Sequence, residues 1–288
     1  MNRIHLCSFS FHLILNFAII SVAMMKRKGV KMKKLKYILL GAVSCVFLTG
    51  CAVHIHYGRT RELSGDEKTI KKEAESNAYK EYSLDMDELL MQSSDLIVTI
   101  EPSDKAYIEL TYSDDLEDYG FYANIEHDEI KIGTTSKKKF RDPNFRAVIH
   151  ANVSECHFAG KYKAEWKCIP CNKVELGMSG AVNCDIQDLD CKNLDVTTNG
   201  ASRLSMSGKA GDAEVVLNGA SEYEAKELLC NNIKAELNGA SMMKISVTDL
   251  LDVEVNGAGE VSYYGSPEVK SDVHGAGKVK QKSEDPYC

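Results

Sequence analysis

The sequence has little of what nucleic-acid-binding proteins need. It contains a single tryptophan, Trp166, and Arg203 is the only arginine after Arg146. Beyond residue 51, 27 Lys and Arg stand against 42 Asp and Glu, a net charge of −15. Because phosphates require clustered basic side chains, this acidic body argues against a nucleic-acid partner. A cationic or carbohydrate partner is less opposed by charge.

Motifs of common catalytic classes are missing as well. The sequence has neither a phosphate-binding loop nor a Gly-x-Ser-x-Gly elbow. No cysteine is paired with a histidine and a third orienting group, so nucleophilic catalysis has no candidate site. These absences favour a non-catalytic protein without a cofactor, apart from the calcium ion considered below.

The N-terminal region contains an export signal. Met32-Lys33-Lys34-Leu35-Lys36 precedes an apolar run from Tyr37 to Leu48, and Thr49-Gly50-Cys51 follows. Basic, apolar and small-residue segments in this order resemble a bacterial lipoprotein signal. The apolar run is shorter than the roughly 20 residues that span a bilayer. We therefore predict that residues 1–51 are a signal region and that Cys51 is lipidated and becomes the mature N-terminus.

A second apolar stretch, Ile4 to Met25, lies upstream of this signal. Either it is an N-terminal anchor, or residues 1–31 reflect a reading frame started too early and Met32 is the true initiator. We prefer the second interpretation. Because Ala52 rather than Asp follows Cys51, the usual bacterial sorting pattern predicts an outer-membrane lipoprotein, facing either the periplasm or the surface.

The chain after the signal divides into two parts. Residues 52–84 are polar and mixed in charge, which predicts a tether between lipid and folded body. Residues 85–284 are predicted to form a β domain that begins with an all-β lead-in. The short β-branched and aromatic runs of this lead-in are Leu96–Ile100, Tyr107–Leu110, Phe121–Ile125, Ile130–Ile132 and Ala147–Ile149.

The most informative region is a repeat that begins near Val174. Six turns of the Asn-Gly-Ala type recur, with glycines 20, 19, 20, 18 and 18 residues apart. The glycines are Gly180, Gly200, Gly219, Gly239, Gly257 and Gly275. A nearly constant period of this length is the signature of a repeat architecture.

Apolar residues alternate with period two on both sides of each glycine. Six residues before it stand Val174, Leu194, Ala213, Ile233, Leu251 and Val269; two before, Met178, Thr198, Leu217, Leu237, Val255 and Val273; four after, Cys184, Leu204, Tyr223, Met243, Val261 and Val279. Each repeat therefore supplies two short strands with one buried face.

The repeat is too short for a crossover helix beside two strands, so equivalent strands must stack directly. This predicts a single-stranded parallel β-helix, or β-solenoid, with coils about 4.8 Å apart. We expect right-handed winding, because parallel β connections are generally right-handed and the hexapeptide period of left-handed β-helices is absent.

The recurring glycines are predicted to be structural. A tight corner requires a positive φ, which glycine accepts freely, and the asparagine before four of them tolerates the left-handed region. Stacked Asn218, Asn238 and Asn256 could form an amide ladder of the kind that joins identical coils.

The Gly-Ala-Ser and Gly-Ala-Gly turns, with Val261–Pro267 running into His274–Gly277, resemble the head GIN domain of auto-transporter adhesins, a family common in Bacteroidetes. The resemblance covers roughly residues 95–281. It implies a right-handed β-helix similar to pectate-lyase folds, without a recognised catalytic constellation, and a function in cell adhesion. The sequence departs from the family pattern in three turns, which read Asn-Gly-Ala-Ser instead of Gly-Ser-Gly, and in its many cysteines.

Glu236, Glu254 and Asp272 all stand three residues before a glycine, on the outward side of three successive coils. Since like charges on neighbouring strands repel, we expect either a solvated acidic stripe eased by Lys234 and Lys270 or a Ca²⁺ site. Clustered acids beside a lysine base would also suit a polysaccharide lyase or hydrolase.

Seven cysteines lie beyond Cys51, and an odd count leaves a free thiol or an intermolecular bond. Cys168 and Cys171 have the spacing of a redox dithiol or of half a zinc site, for which Cys156 and His157 are the nearest further ligands. A strand rather than a helix follows them, which favours structural thiols or a disulfide. Cys288 ends a short charged tail that either blunts the open edge of the last coil or links two chains.

Together these observations predict a lipid-anchored, non-catalytic β-solenoid of the cell envelope that functions in adhesion or binds a glycan or an envelope protein. A glycan-degrading enzyme of the β-helix class is the alternative.

Overall fold

The computed structural model describes residues 60–75, 81–142 and 144–283, and most of them lie in β-strands. The strands of this described part are β1 (Arg61–Glu62), β2 (Glu67–Glu73), β3 (Tyr82–Glu101), β4 (Tyr107–Ser113), β5 (Phe121–Glu126), β6 (Glu129–Thr134), β7 (Phe140–Arg141), β8 (Arg146–His150), β9 (Val153–Lys167), β10 (Cys171–Gly180), β11 (Asn183–Gly200), β12 (Arg203–Gly219), β13 (Glu222–Gly239), β14 (Met242–Gly257), β15 (Glu260–Tyr264), β16 (Glu268–Gly275) and β17 (Lys278–Gln281). A single 3₁₀ turn, Asp114–Tyr119, interrupts them. None of the helical structure in these ranges could cross a bilayer.

The strands stack into a parallel β-solenoid, as the repeat predicts. The segments that end at the recurring glycines pair with one another in register. β9 pairs with β10, β10 with the second half of β11, the second halves of β11, β12, β13 and β14 with each other in turn, and β14 with β16. We call these segments sheet A. The segments that follow the glycines pair in the same way. β9 pairs with the first half of β11, the first halves of β11, β12, β13 and β14 with each other in turn, β14 with β15, and β15 with β17. We call these segments sheet B. The chain therefore crosses from sheet A to sheet B at each glycine.

The core lies between these sheets and consists of the columns that alternation predicts. Leu194, Leu217 and Leu237 are fully buried, and Trp166 joins them inside sheet B. The last coil is the exception, because Val269 and Val273 remain 37% and 38% exposed. No further described strand covers them.

The glycine column is longer than the six predicted turns. Gly160 pairs with Gly180, which extends the column to seven residues. At each step the following alanine donates its backbone N–H to the glycine carbonyl of the preceding coil, at 2.8 Å. Gly239 shows why glycine is needed, since its φ is +119° and an added Cβ would lie 2.3 Å from the carbonyl oxygen of Gly219. Gly160 was missed because its turn, Phe158-Ala159-Gly160-Lys161, lacks the repeated motif.

The predicted asparagine ladder is confirmed and extends by one residue. The Nδ2 atoms of Asn218, Asn238 and Asn256 each donate to the Oδ1 atom of the asparagine on the preceding coil, at 3.1, 3.0 and 3.1 Å. Asn199 accepts the first of these bonds. The ladder thus ties four successive coils together along the edge of sheet A.

The N-terminal end of the solenoid is closed by antiparallel strands. β3 pairs in parallel with β9 on one side and with β6 and β8 on the other. β5 then pairs antiparallel with β6, and β4 with β8. The strands predicted for the lead-in are confirmed, and they protect an edge that would otherwise be open.

The expectation of a polar tether over residues 52–84 is wrong for residues 60–75. β2 pairs antiparallel with β4 over its whole length, from Glu67 opposite Ser113 to Glu73 opposite Tyr107, and β1 pairs with β7. β2 is an edge strand whose side chains are mostly exposed, so its composition is polar although its backbone is bonded. β3 also begins at Tyr82, before the expected boundary at residue 85. The predicted signal region, with Cys51, lies outside the described residues.

Candidate binding surface

The three predicted acidic residues are brought together on sheet A. Glu236 pairs with Glu254 in neighbouring strands, and Glu254 pairs with Asp272. We call Glu236, Glu254 and Asp272 the acidic stripe. Because neighbouring strands are about 4.8 Å apart, the stripe concentrates negative charge along the outer face of the last coils.

The asparagine ladder holds the carboxylates of the acidic stripe. Asn238 Nδ2 donates to Glu236 Oε1 and Asn256 Nδ2 donates to Glu254 Oε1, each at 2.9 Å. On the last coil a histidine replaces the asparagine, and His274 Nε2 lies 3.2 Å from Asp272 Oδ2. Each stripe carboxylate therefore has a partner two residues later on its own strand.

The lysines expected to ease the stripe bind elsewhere. Lys234 Nζ lies 3.3 Å from Glu214 on the preceding coil, and Lys270 Nζ lies 3.5 Å from Glu268. Both pairs are exposed and contribute little to stability. The side-chain amides of Asn238 and Asn256 therefore take the role expected of these lysines. Each asparagine lies two residues after its stripe carboxylate and directly before the turn glycine.

A shallow depression of about 150 Å³ opens beside the stripe. Val216, which occupies the stripe position one coil earlier, is one of its apolar lining residues. The charged residues that line the depression are Glu214, Lys234, Glu236, Asp252 and Glu254. Four carboxylates around one ammonium give this surface an excess of negative charge.

The structure does not arrange the stripe as a calcium site. Within residues 60–75, 81–142 and 144–283, no three His, Cys, Asp or Glu side chains are grouped so that they could hold a metal ion. The stripe carboxylates point along one face and contact separate partners. Ca²⁺ prefers six to eight oxygen ligands around a common centre.

The four residues of the expected zinc site do not converge. Cys156 and His157 are neighbours on β9, and their side chains point to opposite faces, Cys156 into the core and His157 out to Glu155 at 3.0 Å. Cys168 and Cys171 flank the turn between β9 and β10, and a strand follows, as expected. The sequence spacing alone could not show which face each side chain occupies.

The six described cysteines are free thiols, and most are buried. Burial raises the pKa of the Cys191 and Cys230 thiols to about 12, helped for Cys191 by nearby Cys171 and for Cys230 by Cys191. Burial also raises the pKa of Cys171, which is only partly covered. Thiols with raised pKa values are poor nucleophiles at neutral pH, which argues against a redox dithiol.

Sequence reasoning missed a second concave surface on the N-terminal strands. A groove of about 500 Å³ lies across β2, β4 and β8 and is lined by Thr69, Ile70, Lys71, Glu109, Thr111, Arg146 and Val148. The residues of β2 were assigned to the tether, so this sheet was not anticipated. With a single apolar residue, Ile70, β2 offers no alternation that could have predicted it.

The coils stack in register, so equivalent side chains form columns on their outer surfaces. The protein is therefore a parallel β-solenoid that displays repeated side chains. A family model described as "Putative auto-transporter adhesin, head GIN domain" matches residues 90–267. The chain belongs to this family. No curated protein matches the sequence significantly.

Solved structures show the same fold. A "putative adhesin" from Bacteroides fragilis aligns with a TM-score of 0.64 and 19% identity over 77% of this chain and 99% of that chain. A "putative adhesin" from Parabacteroides merdae gives 0.55 and 18% over 77% and 98%. A "putative lipid binding protein" from Parabacteroides distasonis gives 0.57 and 16% over 78% and 100%. At these identities the similarity concerns the fold.

Proposed function

We propose that this protein is a lipid-anchored, non-catalytic protein of the cell envelope that binds cationic glycans through the acidic stripe and the depression beside it. The observation that carries the proposal is the fixed orientation of the stripe carboxylates. Asn238 and Asn256 are themselves held by the ladder, so each aims its second N–H at Glu236 or Glu254.

Pre-organised carboxylates suit binding. Side chains that are ordered before a ligand arrives lose less conformational entropy when it binds. The coil spacing repeats the same group about every 4.8 Å, which suits a polymeric partner with repeated charges. An array of this kind needs no catalytic group.

The charge of the molecule supports a cationic partner. The net charge of −15 beyond residue 51 would attract cations over long range and accelerate their association. The depression adds local complementarity through Glu214, Asp252 and the stripe. Val216 in its lining offers a contact for the apolar face of a sugar ring.

The family supports adhesion as the role of this binding. The matching family model and two of the similar structures are described as adhesins. Adhesion also requires the solenoid to be reached from outside the cell. The predicted lipid on Cys51 would attach the protein to the outer membrane and leave the solenoid on one of its faces.

Anchoring and exposure are tested together on intact cells. Metabolic labelling with a fatty acid should mark the wild-type chain and should be lost in Cys51→Ser. Added protease should degrade the solenoid on intact cells, with permeabilised cells as the control for susceptibility. Protection until permeabilisation would rule out adhesion and indicate a periplasmic binding role.

The alternative function is cleavage of glycans, which the grouping of Lys234 with several carboxylates favours. In the part of the chain that the structure describes, Arg203 lies on sheet B and contacts Glu222 at 2.5 Å, away from this group. Incubation with a panel of uronic-acid polysaccharides tests the alternative. Clearance that is abolished by Glu254→Gln would replace the binding proposal, whereas an unchanged panel supports it.

A further inference from the structure

The exposed edge of the last coil in sheet A has an unusual sequence. β16 pairs with β14 and, among the described residues, with no other strand. All eight residues of β16 are exposed. They include Val269 and Val273, whose register partners Leu251 and Val255 are completely buried. This edge thus combines free backbone hydrogen-bonding groups with uncovered core positions, which invites pairing with another strand.

β16 is complementary to itself when two copies run antiparallel. With Ser271 on a two-fold axis, Val269 of one copy lies opposite Val273 of the other. In the same register, Lys270 lies opposite Asp272 and Glu268 opposite His274. Every outward position that carries a basic group meets an acidic one, and every valine meets a valine.

Other registers lose this match. Moving the axis to Lys270 places Lys270 opposite itself and Glu268 opposite Asp272. Moving it to Asp272 places Asp272 opposite itself and Lys270 opposite His274. An odd shift would put the two cores on opposite faces of the joined sheet, because side chains alternate along a strand. Like charges directly opposite each other are unfavourable, which disfavours these two registers. Centres at Val269 or Val273 avoid like-charge pairs but align only three or five residues of β16, against seven for the centre at Ser271.

We propose that β16 is a dimerisation edge, at which a second copy of this chain adds its own β16 antiparallel and in the register centred on Ser271. The pairing joins sheet A of two solenoids end to end and covers Val269 and Val273. The proposed pairing is confined to sheet A, because at the equivalent edge of sheet B β17 presents the exposed Lys278 and Lys280, which do not favour pairing with a second copy of the same strand. The interface is isologous, as two-fold symmetry requires.

Cysteine cross-linking of the full chain in detergent tests the register directly. In a Cys288→Ser background, Ser271→Cys places two thiols opposite each other at the axis, whereas Glu268→Cys places them about 20 Å apart along the strands. Mild oxidation should give a disulfide-linked dimer with Ser271→Cys and at least about tenfold less with Glu268→Cys. Equal cross-linking of both variants, or none with Ser271→Cys, would overturn the proposal.

Charge exchange supplies a second readout in the Cys288→Ser, Ser271→Cys background. Lys270→Glu should reduce cross-linking about tenfold because the introduced carboxylate then faces Asp272, and Asp272→Lys should do the same because two ammonium groups then face each other. A mixture of the two variants should restore it, because in the mixed dimer both opposing pairs bring a carboxylate opposite an ammonium group. If the single variants cross-link as well as their parent, or if the mixture does not restore cross-linking, the two chains do not pair in this way.

Discussion

The side-chain amide of Asn238 donates to the side-chain carbonyl of Asn218 on the preceding coil, at 3.0 Å. Its second N–H donates to Glu236 at 2.9 Å. One residue therefore joins the element that holds the coils together to the surface proposed to bind a ligand. The same arrangement recurs one coil later at Asn256 and Glu254.

Replacing Asn238 with aspartate should destabilise the solenoid. Asn238→Asp removes both donors and places a carboxylate beside Glu236 and the Oδ1 atom of Asn218. We expect a loss of about 2–3 kcal/mol in the free energy of unfolding. Urea unfolding followed by the fluorescence of Trp166 measures it, since this is the single tryptophan and it is buried.

Asn231→Asp is the matched control for this change. Asn231 lies on the same strand, is exposed, and should tolerate aspartate within about 0.5 kcal/mol. Equal losses in the two variants would show that the ladder bond adds no stability.

The glycine column predicts a sharp contrast between two Gly→Ala changes on sheet A. Gly239→Ala places Cβ 2.3 Å from the backbone oxygen of Gly219 at a φ of +119°, and should cost more than about 3 kcal/mol or prevent folding. Gly177→Ala meets the side chain of His157 instead, at 2.6 Å from Nδ1. That side chain is partly exposed and can rotate away, so the cost should remain below about 1 kcal/mol. Similar losses of unfolding free energy in both variants would contradict this account of the turns.

The buried thiols predict a loss of stability in alkali. Below about pH 8.5 the cysteines are neutral in both the folded and the unfolded state, so their contribution is complete. Above it the unfolded thiols ionise, while Cys191 and Cys230 in the folded protein have pKa values of about 12. Each should therefore lower the free energy of unfolding by up to about 1.4 kcal/mol per pH unit between these values.

Urea unfolding between pH 8 and pH 10.5, in the presence of reductant, measures this slope. Other ionising groups contribute to it, so the informative comparison is with the double variant Cys191→Ala, Cys230→Ala. Its stability at pH 8 should be lower but should fall less steeply with pH. A slope that does not change would mean that these thiols are not buried as the structure places them.

The repeated part of the fold could be predicted because every coil has the same pattern of inward and outward residues and the same turn. Alternation fixes which residues face the core, and the period fixes which residues become neighbours, so Glu236, Glu254 and Asp272 were correctly placed side by side. The asparagine ladder followed from the same register.

The other features of the fold and of the binding surface depend on contacts that do not follow from the sequence repeat. β2 is polar and exposed, and only its pairing with β4 makes it a strand. Lys234 reaches Glu214 because several acids lie within reach of its flexible side chain, and the sequence does not rank them. Gly160 stacks in the column without the motif that marks the other turns.

Equilibrium binding to immobilised chitosan oligosaccharides, a cationic glycan, tests the central claim most directly. The double variant Glu236→Gln, Glu254→Gln should bind at least about tenfold more weakly than the wild type, or about 1.4 kcal/mol. The control Glu165→Gln, Glu227→Gln removes two exposed carboxylates away from the stripe and should bind within about twofold of the wild type. Equal losses in the two double variants, or no binding by the wild type at low salt, would contradict the assignment of the acidic stripe as the binding surface.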